Sequence, residues 1–296
     1  MLGEYNKNSA DPEEKAYEVL RATAYKRHTY SHTTMGFIQD IEDMPNQYDY
    51  SWQFYHRYYR PEYTTIVVVG DVKREMALAS VKKYFGDWKR GDYAPEIPNE
   101  VAQNEPREAH VDWPSETLPV LYVAFRGPAY SDENKDAAAL DLLAPMAFGE
   151  NSDLYQKLVL KEQKVDSLSY IFEDHRDPEL FLVATKIKDA KDIDYVKQQI
   201  LDTYKRYAIE LVPKDQLDST RSRARYSFAL AMDSSEAIAG ALASYVGLRR
   251  SPDTINKLFS VYDSITPEDI RAAAGRYFVD NHRTIVTLTT KKEAGR

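Results

Sequence analysis

The chain has 296 residues, 43 % hydrophobic and 29 % charged, enough for two soluble globular domains with cores of their own. A formal net charge of -8 argues against a general nucleic-acid binder, which needs a basic face to neutralise phosphates. No cysteine is present, so disulfides, thiolate metal sites and cysteine nucleophiles are excluded. No apolar run approaches the roughly 18 to 20 residues of a membrane span, and the polar start MLGEYNKNSADPEE carries no signal-peptide core.

In chain order, DPEEKAYEVLRATAYKR predicts a helix with Asp11 as its N-cap and Pro12 at its first position. Its apolar residues Ala16, Val19, Leu20 and Ala24 recur at helical spacing. Tyr48, Trp52, Tyr55 and Tyr59 form an aromatic stripe on a second helix that ends at Pro61; such a stripe is expected to face a core. Thr64 to Val69 reads as a strand covered on both faces, closed by Gly70-Asp71 and followed by a helix with Met76, Ala77, Val81, Tyr84 and Phe85 on one side.

Strand, glycine and helix in succession raise the question of a phosphate loop. A P-loop or dinucleotide fold needs several spaced glycines, whereas here one glycine precedes a carboxylate that would repel an anion, so Gly70 is read as a turn. The stretch GDWKRGDYAPEIPNEVAQNEP then breaks all periodicity with two glycines and three prolines, and the domain linker is placed there, at 93–105.

A second unit begins near residue 106. REAHVDW and PVLYVAFRGP predict strands, the latter alternating Leu121, Val123 and Phe125. A helix through DENKDAAALDLLAPMAF has Asp132 as candidate cap, and Pro145 inside it should kink or end it. A short helix over SDLYQKLVLKEQ and a hairpin turning at Asp177-Pro178 follow. Helical patterns near 191–208, 214–231, 234–249 and 254–278 come next, the last broken at Thr266-Pro267, before a closing strand over 282–290. Strands and helices are partly segregated, which favours an α+β class. The strand at 64–69 has no sequence partner before it, although its backbone N–H and C=O groups need neighbours. Another chain, or sequence preceding residue 1, is expected to supply them.

Few residues carry chemistry. Of six histidines only His28 and His32 stand four apart; on a helix they could share a metal, but KRHTYSHTT is a poor helix with no acidic residue between the pair. Neither H-E-x-x-H, H-x-x-E-H nor G-x-S-x-G occurs. The basic run RSRAR is read as a solvated helix face.

Three segments in order resemble the pitrilysin, or insulinase-like, family of zinc metallopeptidases, which includes mitochondrial processing peptidase. FYHRYYRPEYTTIVVVGDV with ALASVKKYFGDW is similar to the passage closing that family's first domain. AALDLLAPMAFGENSDLYQKLVLKEQKVDSLSY resembles its second-domain helix, glycine corner and following strand, although the corner here has one glycine. SITPEDIRAAAGRYFVDNHRTIVTLT resembles its closing helix and strand.

The resemblance implies an α+β fold in which an antiparallel sheet has helices packed on one face. Residues 1–92 would be the end of a first, zinc-bearing domain and 106–296 a complete second one. It also implies a zinc site built from H-x-x-E-H and a downstream glutamate. The two histidines and the general-base glutamate have no counterpart here, while MLGEYNKNSADPEE matches the passage of the downstream ligand and places Glu4 on it. No residue of this chain is then catalytic, and the chain alone is expected neither to hold zinc tightly nor to cleave peptides. The implied partners are an unstructured peptide substrate and a second peptidase half, in the same or another chain. Periplasmic relatives make the periplasm a better expectation than the cytoplasm. A non-catalytic half acting as clamp or scaffold is the other reading the resemblance allows.

Overall fold

The computed structural model describes residues 1–291. Five helices come first: α1 (Leu2–Ser9), α2 (Pro12–Ala24), α3 (Ile38–Asp43), α4 (Tyr48–Tyr58) and α5 (Arg74–Phe85). After the irregular linker come β1 (Arg107–Trp113), β2 (Val120–Arg126), α6 (Lys135–Phe148) and α7 (Asp153–Tyr155), which continues as a wide π turn over Gln156–Lys161. The hairpin β3 (Val165–Ile171) and β4 (Leu180–Ile187) leads into α8 (Ile193–Ile209), α9 (Lys214–Ala231), α10 (Ser235–Arg249), α11 (Asp253–Ser264), α12 (Pro267–Tyr277) and β5 (Arg283–Thr290).

The α+β class stands, with two refinements. The five strands form one sheet in the order β1-β5-β2-β4-β3, and every neighbouring pair is antiparallel except β1 with β5, which is parallel. Consecutive β1 and β2 leave a gap one strand wide, and β5 fills it antiparallel to β2. It therefore runs parallel to β1.

The second refinement concerns the faces, since helices cover both rather than one. Leu121, Val123, Phe125, Phe181, Val183 and Ile285 face a layer built chiefly from α6, α8 and α12. Val120, Tyr122, Ala124, Leu180, Leu182, Val286 and Leu288 meet Ala16, Leu20, Ala24 and Tyr25 of α2 and the residue after it. The cause is legible in β2 and β4, where positions of both parities are apolar and neither face tolerates water.

Local expectations meet mixed outcomes. Asp11 caps α2, accepting from Glu13 N at 2.8 Å. Thr266 and Asp269 form a reciprocal capping box at the break between α11 and α12. The cap of α6 is Asn134, not Asp132; Asn134 Oδ1 accepts from Asp136 N at 2.7 Å, while Asp132 lies 3.4 Å from Arg249. Pro145 does not end α6, which runs three residues further to Phe148. Only the bond to the Asp141 carbonyl is lost, and the apolar packing on every side outweighs it.

Thr64 to Val69, predicted as a buried strand, pairs with no strand among the described residues, and Val68 is 55 % exposed. The aromatic stripe of α4 is likewise not core: Trp52 is 49 % exposed, and Tyr48, Tyr55 and Tyr59 are open to water. Both features have the apolar pattern of covered elements and, among the described residues, nothing that covers them.

Candidate functional site

The joint between α2 and the turn linking β3 to β4 gathers the densest polar chemistry. Arg21 sits on the sheet-facing side of α2, next to Leu20, and is buried. Its guanidinium donates to Glu179 Oε2 at 3.0 Å, to Tyr17 Oη at 2.8 Å and to the Tyr30 carbonyl at 2.8 Å. Glu179, at the base of β4, also accepts from Tyr25 Oη at 2.8 Å through its other oxygen. Side-chain exposures of 10 % and 6 % make Arg21–Glu179 a buried pair, and every guanidinium nitrogen and both carboxylate oxygens have a partner, as such a pair requires. Burial opposes the Arg21 charge, but Glu179 and Tyr17 hold the guanidinium above its ordinary pKa. Burial, then Glu179, pushes the Tyr25 phenol far up, so it stays a donor.

The linker closes the joint from the other side. Glu100 Oε2 accepts from three successive backbone N–H groups, Lys26, Arg27 and His28, each at 2.9 Å. Burial raises the Glu100 carboxyl, yet those three donors hold it below its usual range. Arg126 of β2 adds a bond to the Ala24 carbonyl at 2.8 Å.

Beside this network lies a cleft of about 420 Å³ between α1, α2, the 29–35 segment and the β3–β4 turn. Tyr5, Tyr17 and Tyr30 form its walls, with Glu14, Glu18 and Glu173 around them and His32 and His175 among the lining residues. Sequence reading missed both joint and cleft. The available signal was Arg21 on the apolar stripe of α2, but its partner Glu179 is 158 residues away and nothing in the sequence connects them.

Glu4 lies in the first turn of α1, one turn before the cleft residue Asn8, and is exposed. No group of three or more His, Asp or Glu able to hold a metal ion occurs among the described residues. Zinc takes three or four protein donors, so one exposed carboxylate does not fit it alone. His28 and His32 are not brought together as ligands. His28 caps a short 3₁₀ turn, its Nδ1 accepting from Tyr30 N at 3.1 Å, and His32 follows that turn in extended backbone. Gly70 is a turn, with φ +141°, and Val72 N donates to its carbonyl at 2.9 Å. In RSRAR, Arg225 pairs with Asp263 at the surface, whereas Arg221, 19 % exposed, pairs with Asp218 and donates to the Ile265 carbonyl at 2.7 Å, so the run is only partly a solvated face. No helix among the described residues is long and apolar enough to cross a membrane.

Comparison with known proteins places this geometry. A family profile described as "Peptidase M16 inactive domain" matches residues 47–224. A zinc protease named PqqE from Helicobacter pylori is 25 % identical over 271 residues, covering 90 % of this chain and 60 % of that protein. The chain thus spans about three fifths of the curated relative it matches. The crystal structure of a protease from Helicobacter pylori superposes with TM-score 0.85 at 24 % identity over 95 % of this chain and 68 % of the other. The periplasmic protease PqqL from Escherichia coli gives 0.72 at 13 % identity over 98 % of this chain and 32 % of that one.

Proposed function

The chain belongs to the peptidase M16 inactive domain family, and from that premise we propose that it is the part of a zinc-dependent endopeptidase that shapes and walls the active site without carrying its catalytic motif. In this reading residues 1–92 end a first domain, 93–105 link, and 106–296 form a complete second domain. Glu4 is one ligand of the parent protein's zinc, while the two histidines and the general base come from residues outside this chain. The second domain, together with another peptidase half, encloses unstructured peptides. The periplasm is the proposed compartment, in keeping with PqqL, a periplasmic protease.

The observation that carries the reading is the contrast within the N-terminal region. Segment 64–69 and helix α4 carry the pattern of covered elements and lie open, while α1 holds Glu4 beside a cleft that the second domain helps to build. A donor set with one carboxylate and an uncovered apolar segment both fit a domain completed by other residues. The absence of H-x-x-E-H keeps a second reading in view, a half that clamps peptide without cutting it.

Reading the coding sequence upstream of Met1 separates the two. An H-x-x-E-H there supports the peptidase, and its absence leaves the clamp. In the catalytic case Glu4→Gln in the full-length protein should lower both zinc content and peptide hydrolysis at least a hundredfold with the melting temperature unchanged. Retained zinc and retained activity would remove Glu4 from the site.

A further inference from the structure

His28 sits where the end of α2, the linker and the β3–β4 turn meet, and its side chain is only half satisfied there. The residue is 5 % exposed, its imidazole set against the rings of Tyr25 and Tyr30 with centroids 6.1 and 4.2 Å away. Nδ1 accepts from Tyr30 N at 3.1 Å, so Nδ1 carries no hydrogen and the neutral ring is the Nε2–H tautomer. Nε2 is buried and has no hydrogen-bond partner among the described residues. The Asp177 carboxylate approaches it to 3.6 Å, too far for a hydrogen bond but close enough to attract a charge. A second buried orphan belongs to the same joint. Glu100 Oε2 accepts from His28 N at 2.9 Å, while its Oε1 has no partner among the described residues. The other polar groups that the surrounding elements bring here are engaged. Arg21 and Tyr25 of the α2 region bond Glu179, Arg126 of β2 bonds the Ala24 and Val101 carbonyls, and His175 of the β3–β4 turn faces Glu173.

We propose that His28 is a proton-operated switch of this joint, which exchanges the 29–31 turn for the carboxylates of the linker and the β3–β4 turn as its partner. A proton taken up from solvent goes to Nδ1, the ring nitrogen that carries no hydrogen. Nδ1–H then opposes Tyr30 N–H, donor against donor, and the cap of the 29–31 turn is lost. The imidazolium turns its charge to Asp177 and Glu100, whose negative charges offset the cost of burying it. Tyr30 carries the change onward, because its carbonyl accepts from the buried Arg21 and its ring lies 5.5 Å from that of His175. Neither zinc nor peptide enters the switch, which stands apart from the function proposed above.

The test follows the uniformly nitrogen-15-labelled 296-residue chain by NMR from about pH 8 to about pH 5, the range in which imidazoles change charge. At the upper end the ring nitrogens of His28 should report the Nε2–H tautomer. Towards the lower end the protection of the Tyr30 amide, corrected for the intrinsic pH dependence of exchange, should fall about fivefold, the worth of a lost side-chain cap. His28→Asn, whose amide oxygen accepts from Tyr30 N at any pH, should keep that protection throughout. Asp177→Asn should lower the titration midpoint of the His28 ring by about half a pH unit, since one carboxylate that draws the charge is gone. An Nδ1–H tautomer at the upper end, Tyr30 protection that does not fall, a fall that persists in His28→Asn, or a midpoint that Asp177→Asn leaves in place overturns the switch.

Discussion

Two aromatic clusters in this molecule have opposite fates. Around the sheet, Phe125, Phe148, Phe181, Tyr204 and Phe278 pack with ring centroids 4.6 to 5.9 Å apart and little water access. Along α4, Tyr48, Trp52, Tyr55 and Tyr59 also touch in sequence, at 6.5, 5.9 and 5.0 Å, yet all four are exposed. Both sets have the spacing of buried residues. The first draws rings from two strands, two long helices and the end of a third, so each ring is enclosed by separate elements. The second draws all its rings from one helix, and rings on one helix can only line up. Periodicity thus reports which face of an element is apolar, while enclosure depends on what crosses it.

Hydrogen exchange should show the contrast most strongly. Amides of β2 and β4, bonded on both sides, should exchange orders of magnitude more slowly than those of Thr64 to Val69, which have no ladder. Amides of α2 should behave like the sheet despite their N-terminal position, because α2 is packed on it. Uniform protection across 1–291 would break the comparison.

Side-chain truncation should come next in size. Phe181→Ala removes a fully buried ring and should cost about 3–5 kcal/mol in denaturant unfolding, whereas Trp52→Ala should stay within about 0.5 kcal/mol on this chain. Similar losses at both positions would mean that the α4 stripe is enclosed in solution.

The smallest effect concerns pH at the β3–β4 turn. Burial, then the nearby Asp141 carboxylate, pushes Asp174 up to about 7. The unfolded value is about 3.9, so this contribution to stability is present below that pH and lost as pH rises through the folded value. Asp174 is open to water on one side, which limits the effect to roughly 1 kcal/mol. Asp174→Asn should therefore raise the melting temperature by about 2–4 °C at pH 8 and by less at pH 5, the gain vanishing below about pH 3.9. A larger gain at pH 5 would reverse the sign of the argument.

How far the sequence could be read follows from the range of the interactions involved. Local rules placed the Asp11 cap, the break at Thr266-Pro267, the Gly70 turn, the hairpin at Asp177-Pro178 and the helices after residue 190, since caps and turns are made by residues a few positions apart. The same rules named Asp132 as a cap because it stands near a helix start, but Arg249 engages it from 117 positions further along. The candidate site was hardly legible at all. Glu4 was matched to a family passage, but the cleft beside its helix exists only because the 172–179 turn comes back onto α2.

The sequence by itself determined the α+β class, the lack of an H-x-x-E-H string and the family to which the three long motifs belong. Tertiary structure alone decided that β5 enters between β1 and β2, that α2 crosses the linker to cover the second face of the sheet, and that Arg21 meets Glu179. These contacts join residues more than eighty positions apart, and they are fixed by which apolar faces must leave water together rather than by any local pattern.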